Sequence, residues 1–435
     1  MCKFKTYGLF ISCLILFTTC KKEIDITQNP NQFGAIFGSG GYMDLAGAIE
    51  SDDNNYLLYG TIINKANKSL DGFVMKVDEN FNIIWNKTFG GSNDDYFNSL
   101  TLDESGNIMA AGNSSSFGTS VDSGYKFPNS RFYMVYINKT GNTIWEKTFQ
   151  ANGKPGNKNF YNNASKVLYL NNGSFGIAGT TGNFRNAIGG DTNYTRDVFA
   201  FGIDKQANIK WQKRFFDTIL TANSKRQFDE SCFDAELAND GNIMLLMTHY
   251  YNDYLYITLM KVMANDTGFN ENKYIWKGPQ INDLTSPFQG PENLWTPPME
   301  ILNGDKMIFY DDWNGGIALA DESGKLISRK PFKYEIWDLN FTKNSKDIMA
   351  LGRYQKGPDA PWLSFWATLD MEGNIISETY TTEELTNYAK TKFFHKNIFI
   401  TPNRDVLIFS TANTLPGLGI IMLKYDEKGN LIKTK

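Results

Sequence analysis

The phrase DESGNIMAAG at residues 103–112 returns with small changes as NNGSFGIAG at 171–179, NDGNIMLLM at 239–247 and NSKDIMALG at 344–352. A polar turn feeding an apolar strand, written repeatedly into one chain, points to a fold built from copies of one unit. The turn itself occurs seven times, as SDDNN at 51–55, DESGN at 103–107, NNGS at 171–174, NDGN at 239–242, NGD at 303–305, KNSKD at 343–347 and PNRD at 402–405. Each is flanked by β-rich runs, and its Asn, Asp and Gly residues supply the positive-φ positions that a tight hairpin demands.

A second phrase, a turn leading into a Trp-bearing strand, runs in parallel: DENFNIIWNKTF, NKTGNTIWEKTF and DKQANIKWQKRF. Its slot is held by Trp85, Trp145, Trp211 and Trp276, then by Ser328, Ser377 and Lys433, at spacings of 49 to 66 residues. Seven slots match seven turns. A unit of this length with two hairpins is four antiparallel strands, a to d, too small to form a core alone, so the copies must stack. Radial stacking of such sheets gives a β-propeller, in preference to a large sandwich or solenoid. The expected fold is therefore all-β, with seven four-stranded blades at 43–90, 94–149, 163–216, 230–278, 298–332, 334–380 and 392–435. TTEELTNYAK at 381–390 is at most a turn or two of helix in a linker. FGAIFGSGGYMD at 33–44 and NLIKTK at the C-terminus both look like d strands, which leaves open whether the N-terminal segment closes the last blade or lies outside it.

Composition sets the class. The 435 residues are 41% hydrophobic and 14% aromatic, enough to bury a large core without metals or disulfides. A net charge of −4, with lysines and acids interspersed, offers no basic stripe for a phosphate backbone and argues against nucleic-acid binding. Lys3 and Lys5 precede an apolar run from Tyr7 to Phe17, and the chain turns polar after Cys20, the pattern of an export signal over 1–19. That run is too short for a comfortable membrane span, and no later segment supplies one. FTTC, Phe17 to Cys20, resembles a bacterial lipobox, whose cysteine is acylated; a plain signal peptide and an N-terminal anchor are the alternatives. On this reading residues 20–32 are a flexible tether, 33–435 a single propeller domain, and Cys232 the one thiol left after Cys2, Cys13 and Cys20. In the alternating stretch FDESCFDAEL it reads as a buried small hydrophobe rather than a nucleophile.

The run from Trp85 to Phe117 is similar to a bacterial secreted or lipoprotein β-propeller repeat family, with Trp85, Phe89, Gly90, Asp94, Asp103, Gly106, Asn107 and Gly112 at the pattern positions. The third blade keeps Gly173, Gly179 and Thr180. Taken alone, the Trp-bearing phrases also resemble repeats of quinone-dependent dehydrogenases and of an outer-membrane assembly lipoprotein. The resemblance implies a secreted or surface bacterial propeller and assigns it no chemistry, because propellers host unrelated activities.

Alternation of antiparallel connections puts the a–b and c–d loops at one end and the b–c and d–a loops at the other. The first end carries short turns. The second receives four long, irregular segments, 113–131, 180–197, 277–298 and 353–362, and is the expected binding face. Trp295, Trp313 and Trp362 stand there as candidate platforms for a sugar face or a protein hot spot, against packing between blades. The pairs Asp94–Asp95 and Asp311–Asp312, beside Asn93 and Asn314, offer oxygen ligands of the kind Ca²⁺ takes, but no full calcium loop is present and turn capping is the simpler reading. His249 begins the loop side, while His395 belongs to an inner strand. No nucleophile elbow, HExxH, phosphate loop or zinc spacing occurs, so no catalytic residue and no cofactor is assigned. The expectation is a non-catalytic, lipid-anchored propeller at the outer envelope of a Gram-negative bacterium. It would bind an envelope protein or glycan and touch the membrane only through its lipid. The alternative is a carbohydrate-active or quinoprotein-like enzyme with its site in the central funnel.

Overall fold

The computed structural model describes residues 28–31, 34–37, 42–64, 66, 68–117, 130–151, 160–185, 193–215, 230–251, 254–262, 264, 272–277, 298–302, 306–311, 316–321, 325–332, 335–341, 348–355, 362–380, 393–401, 403–414 and 417–432. Two short strands, β1 (Gln28–Asn31) and β2 (Gly34–Phe37), come first. Blade 1 is β3 (Met43–Glu50), β4 (Tyr56–Ile63), β5 (Leu70–Val77) and β6 (Ile83–Phe89). Blade 2 is β7 (Asp95–Leu102), β8 (Ile108–Ser114), β9 (Arg131–Ile137) and β10 (Thr143–Phe149). Blade 3 is β11 (Phe160–Tyr169), β12 (Phe175–Arg185), β13 (Asn193–Ile203) and β14 (Ile209–Phe215). Blade 4 is β15 (Glu230–Leu237), β16 (Ile243–Tyr251), β17 (Tyr254–Val262) and β18 (Asn272–Lys277). Blade 5 is β19 (Met299–Ile301), β20 (Met307–Asp311), β21 (Gly316–Ala320) and β22 (Leu326–Pro331). Blade 6 is β23 (Glu335–Phe341), β24 (Ile348–Gln355), β25 (Trp362–Leu369) and β26 (Ile375–Tyr380). Blade 7 takes β27 (Phe393–Ile400), β28 (Val406–Thr414) and β29 (Gly417–Tyr425) from the C-terminus.

Strand order follows the chain in the first six sheets, and the innermost strands β3, β7, β11, β15, β19, β23 and β27 each touch the next around a closed circle. The protein is a seven-bladed β-propeller. The N-terminal segment closes the ring: β2 pairs antiparallel with β29 from Gly34 opposite Leu423 to Phe37 opposite Ile420, and β1 adds a fifth, outer strand. The C-terminal segment contributes as well, because Leu431 bridges Tyr425 and Ile432 donates to the Lys424 carbonyl at 2.7 Å. Both candidate d strands therefore share one edge. Pairing begins at Gln28, so the sheet takes in residues 28–31 of the stretch read as tether.

No blade has a core of its own. Seven apolar clusters lie between successive blades, for example Leu57, Val74 and Phe89 of blade 1 against Leu100, Tyr133 and Val135 of blade 2. The middle strands are buried on both faces, which explains runs such as FVMKV and FYMVYI, whereas d strands face solvent on one side. Lysines at Lys87, Lys147 and Lys213 on those d strands discourage pairing with another chain.

The recurring phrase now has a physical cause. In the described five-residue turns the first N–H bonds the fifth carbonyl, the fourth N–H bonds the first carbonyl, and the fourth residue takes positive φ. Where Asp or Asn holds the first position its side chain fixes the loop, whereas Ser51, Leu170, Ala238 and Thr401 hold that position in other turns. Asp204 Oδ1 accepts from the backbone of Gln206 at 3.0 Å and Asn208 at 2.8 Å, while Asn208 donates its amide to Oδ2 at 2.9 Å. Asp103, Asp370 and Asp426 repeat the arrangement, so D-x-x-G-N is a self-bonded turn. Phe81 holds the glycine position at φ 70°, and burial of its ring against Phe409 offsets the roughly 1–2 kcal/mol cost of that conformation.

One segment differs from the sequence reading. Residues 180–197 are mostly paired strand, with Thr180 opposite Val198 through Arg185 opposite Asn193, leaving 186–192 between them. The β-prone residues Thr180, Thr181, Phe184, Tyr194 and Thr195 extend the hairpin beyond the sheet of the other blades.

Candidate functional site

The two ends of the ring differ as topology requires. At one end the described connections are the five-residue turns, with 263–271 in blade 4 as the longer exception. At the other end fall 115–130, 150–159, 216–229, 278–298, 356–361 and 381–392. Asp94, Asp95, His249, Asp311 and Trp362 all lie at this second end: Asp94 and Asp95 where β7 begins, His249 opposite Glu230 and Tyr256, Asp311 opposite Gly316, and Trp362 opposite Gln355. Trp295, Trp313, Asp312 and Cys20 lie outside the described residues. Of the repeated tryptophans, Trp85, Trp145 and Trp211 belong to the scaffold. Trp145 Nε1 donates to the Lys205 carbonyl at 2.8 Å, and the Trp85 ring lies against Gly141, in both cases the c–d turn of the next blade. Cys232 is buried in the core between blades 3 and 4, and burial pushes its thiol pKa up, which removes it as a nucleophile.

Asp94 is a capping residue: its Oδ1 accepts from Leu70 N at 2.9 Å, across the junction of blades 1 and 2. Asp95 is different. It is wholly buried and meets Asp71, a residue of β5 with nothing in the sequence to single it out. Asp95 Oδ2 accepts from Gly91 N at 2.8 Å and Ser116 Oγ at 2.6 Å, and Asp71 Oδ2 accepts from Asn64 Nδ2 at 2.8 Å. Both Oδ1 atoms are shut off from solvent; Asp71 Oδ1 has no hydrogen-bond partner among the described residues, while the Ser114 and Ser116 hydroxyls serve the Asp95 carboxylate. Burial raises Asp71 to about 6, with the charges of Asp95 and Asp94 adding to it, and burial likewise raises Asp95. Beside them Phe117 exposes 42% of its surface at the same end, an aromatic that the sequence reading passed over.

A second polar cluster lies inside the ring. Six of the seven inner strands carry a β-bulge at one height, at Ala46, Asn98, Ser165, Phe233, Trp337 and Lys396. The residue after each bulge is Gly47, Ser99, Lys166, Asp234, Asp338 or Asn397, and four of these reach the backbone of the next blade. Ser99 accepts from Val167 N at 3.0 Å, Asp234 from Met299 N at 3.3 Å, Asp338 from Ile398 N at 3.1 Å and Asn397 from Ala48 N at 2.6 Å. Lys166 makes the link through its side chain, 2.9 Å from Asp234 and 2.6 Å from Glu236. Gly47 leaves a gap through which Tyr59 reaches inward, since a Cβ there would lie 2.3 Å from the phenol oxygen.

Glu236, Glu300 and Asp338 outnumber this one lysine. Burial opposes the Lys166 charge, but the fields of Asp234 and Glu236 reverse that and raise its pKa well above the ordinary value. Burial, then the charge of Glu236, pushes Glu300 well above 4.5; burial does the same to Asp338, and Tyr59 is pushed up to about 12. A carboxyl whose native pKa is raised stabilises the fold most below its ordinary value, and that contribution is lost as pH rises toward the native value. Glu300→Gln is therefore expected to melt above wild type at neutral pH and level with it near pH 4, read by calorimetry across that range. No group of three or more His, Cys, Asp or Glu side chains positioned for a metal occurs among the described residues.

No family model matches this sequence, and no curated protein matches it significantly. Among solved structures, a streptogramin B lyase aligns over 93% of this chain and 98% of its own at 13% identity and TM-score 0.46. BamB from Moraxella catarrhalis aligns over 92% and 97%, at 12% identity and TM-score 0.38. The dihydro-heme d1 dehydrogenase NirN aligns over 90% and 72%, at 9% identity and TM-score 0.45.

Proposed function

We propose that this chain is an exported, lipid-anchored propeller of the Gram-negative envelope that binds an envelope protein or glycan through its long-connection end. The observation that carries this reading is the contrast between the ends. One is made almost wholly of self-bonded turns, while the other mounts connections of unequal length on a rigid ring, the arrangement in which binding usually resides. Asp94, His249, Asp311 and Trp362 share that end, and Phe117 joins them as an exposed aromatic.

The full chain, used as bait in a detergent extract of envelope and beside it on a glycan array, is expected to retain one specific partner, with retention lowered about tenfold by Phe117→Ala, a change worth roughly 1.4 kcal/mol. Loss of lipid labelling in Cys20→Ser is the companion result. Retention of neither protein nor glycan would overturn the binding reading, and retained labelling would overturn the anchor. The catalytic alternative has one observation of its own, the raised Glu236 and Glu300 carboxyls beside Lys166, because perturbed groups cluster at reaction centres. It requires a turnover that Glu300→Gln abolishes while the fold is kept.

A further inference from the structure

The junctions of blades 1 and 2 and of blades 2 and 3 are built to one plan, which makes their difference informative. Asp95 pairs with Ser114 at the start of the second blade, and Asn162 pairs with Thr181 at the equivalent place in the third. Asn162 is complete. Its amide donates to the Ser130 carbonyl at 2.7 Å, and its oxygen accepts from Thr181 Oγ1 at 3.0 Å and from Ala151 N at 3.5 Å. Asp95 reproduces the accepting half of that pattern through Gly91 N and Ser116 Oγ, but it carries an oxygen where Asn162 carries an NH₂ donor. Position 71 adds a second carboxylate where the next blade has Arg131.

Two carboxylates, with Asp71 Oδ1 unpartnered among the described residues, thus stand where the next junction has a donor, in a place shielded from bulk water. Asp71 is 5% exposed and Asp95 0%. Neither makes an ion pair with lysine or arginine among the described residues. Both converge on Gly90, which has φ +152°, and a Cβ at that residue would lie 2.5 Å from Asp95 Oδ2 and 2.7 Å from Asp71 Oδ1. The remaining polar neighbours are oxygens or amides: Ser114, Ser116 and Asn64. Two buried carboxylates without a counter-charge take up either a proton or a cation, and an all-oxygen surround suits a hard cation rather than zinc or copper.

We propose that Asp71 and Asp95 bind a calcium-class divalent cation that locks blade 1 to blade 2. Two carboxylates with hydroxyl and carbonyl oxygens form an ordinary coordination shell for that ion, so a third acid is not needed. The ion takes the place of the amide proton donor at Asn162 and ties the β6–β7 connection to the b–c connection of blade 1. Both belong to the long-connection end.

The test uses the full chain in detergent, stripped with EDTA and titrated with CaCl₂ alone. The expected result is a melting temperature several degrees higher in millimolar calcium than in EDTA, with one equivalent bound by calorimetry. Asp71→Asn and Asp95→Asn are each expected to remove that response. Asp95→Asn installs the residue found at the equivalent junction and should fold, so it carries the test if Asp71→Asn does not. No calcium response in the wild type, or a response undiminished in Asp95→Asn, would overturn the site. A melting temperature that ignores calcium and rises on acidification would overturn it too, assigning the two carboxylates to a shared proton.

Discussion

Lys166→Met is expected to cost about 3 kcal/mol at neutral pH, among the largest single-residue losses in the ring. Among the described residues the lysine is the one base paired with Asp234 and Glu236, and Glu300 and Asp338 lie close enough to feel its charge. Removing it leaves carboxylates facing one another inside the inner circle of strands. The value sits at the lower end for a buried pair because the lysine side chain keeps 27% exposure. The loss also has a sign in pH. Below the ordinary carboxyl range the acids are protonated and the substitution is nearly neutral; its cost grows as pH rises and they ionise. Chemical denaturation at pH 3 and pH 7 reads both limits. Equal destabilisation at the two would show that Lys166 acts through packing of its stem rather than through charge. Lys166→Met with Glu236→Gln and Glu300→Gln should recover much of the stability, since the unpaired charges leave with the lysine.

The fold was legible because the turn is local chemistry. Asp204 and Asn208 bond each other within five residues, so D-x-x-G-N leaves its mark on the sequence wherever the hairpin recurs. The blade count follows from the seven a–b turns matched to the seven slots of the Trp-bearing phrase. The inner ring left no such mark. Lys166, Glu236, Glu300 and Asp338 come from the inner strands of blades 3 to 6 and are brought together by ring closure, with bulges in β11, β15 and β23 setting a register that no short window reveals. Asp71 was equally silent, lying within the strand LDGFVMKV, whereas its partner Asp95 announced itself in the SNDDY phrase. The alternating residues of 180–197 were visible but read as loop, because the turn signals GN and GG in that stretch outweighed its threonines and aromatics. Ring closure needed the structure for a different reason: two segments compete for one edge, and the sequence of neither states which strand it joins.

A chain that begins at residue 38 is expected to melt on the order of 5–10 °C below one that begins at residue 28. The ten residues between supply β1 and β2, and β2 is the outer partner of β29 over Ile420 to Leu423. Four paired positions at about 1 kcal/mol per backbone hydrogen bond give roughly 4 kcal/mol, before any loss of apolar contact. The C-terminal segment is a poor substitute, since among the described residues it bridges β29 only at Tyr425 and Lys424, beyond the stretch that β2 covers. Truncation would leave blade 7 three-stranded over most of its length, with an unpaired edge flanked by Met422 and Ile421, the kind of surface that recruits a second chain. Concentration-dependent association should therefore accompany the lower melting temperature, read by light scattering on the same samples. Because the closing strand comes from the opposite end of the chain, blade 7 completes only when both termini meet, and opening it should lower the cooperativity of the whole ring. A truncated chain that melts with wild-type midpoint and sharpness would show that β2 decorates the propeller rather than closing it.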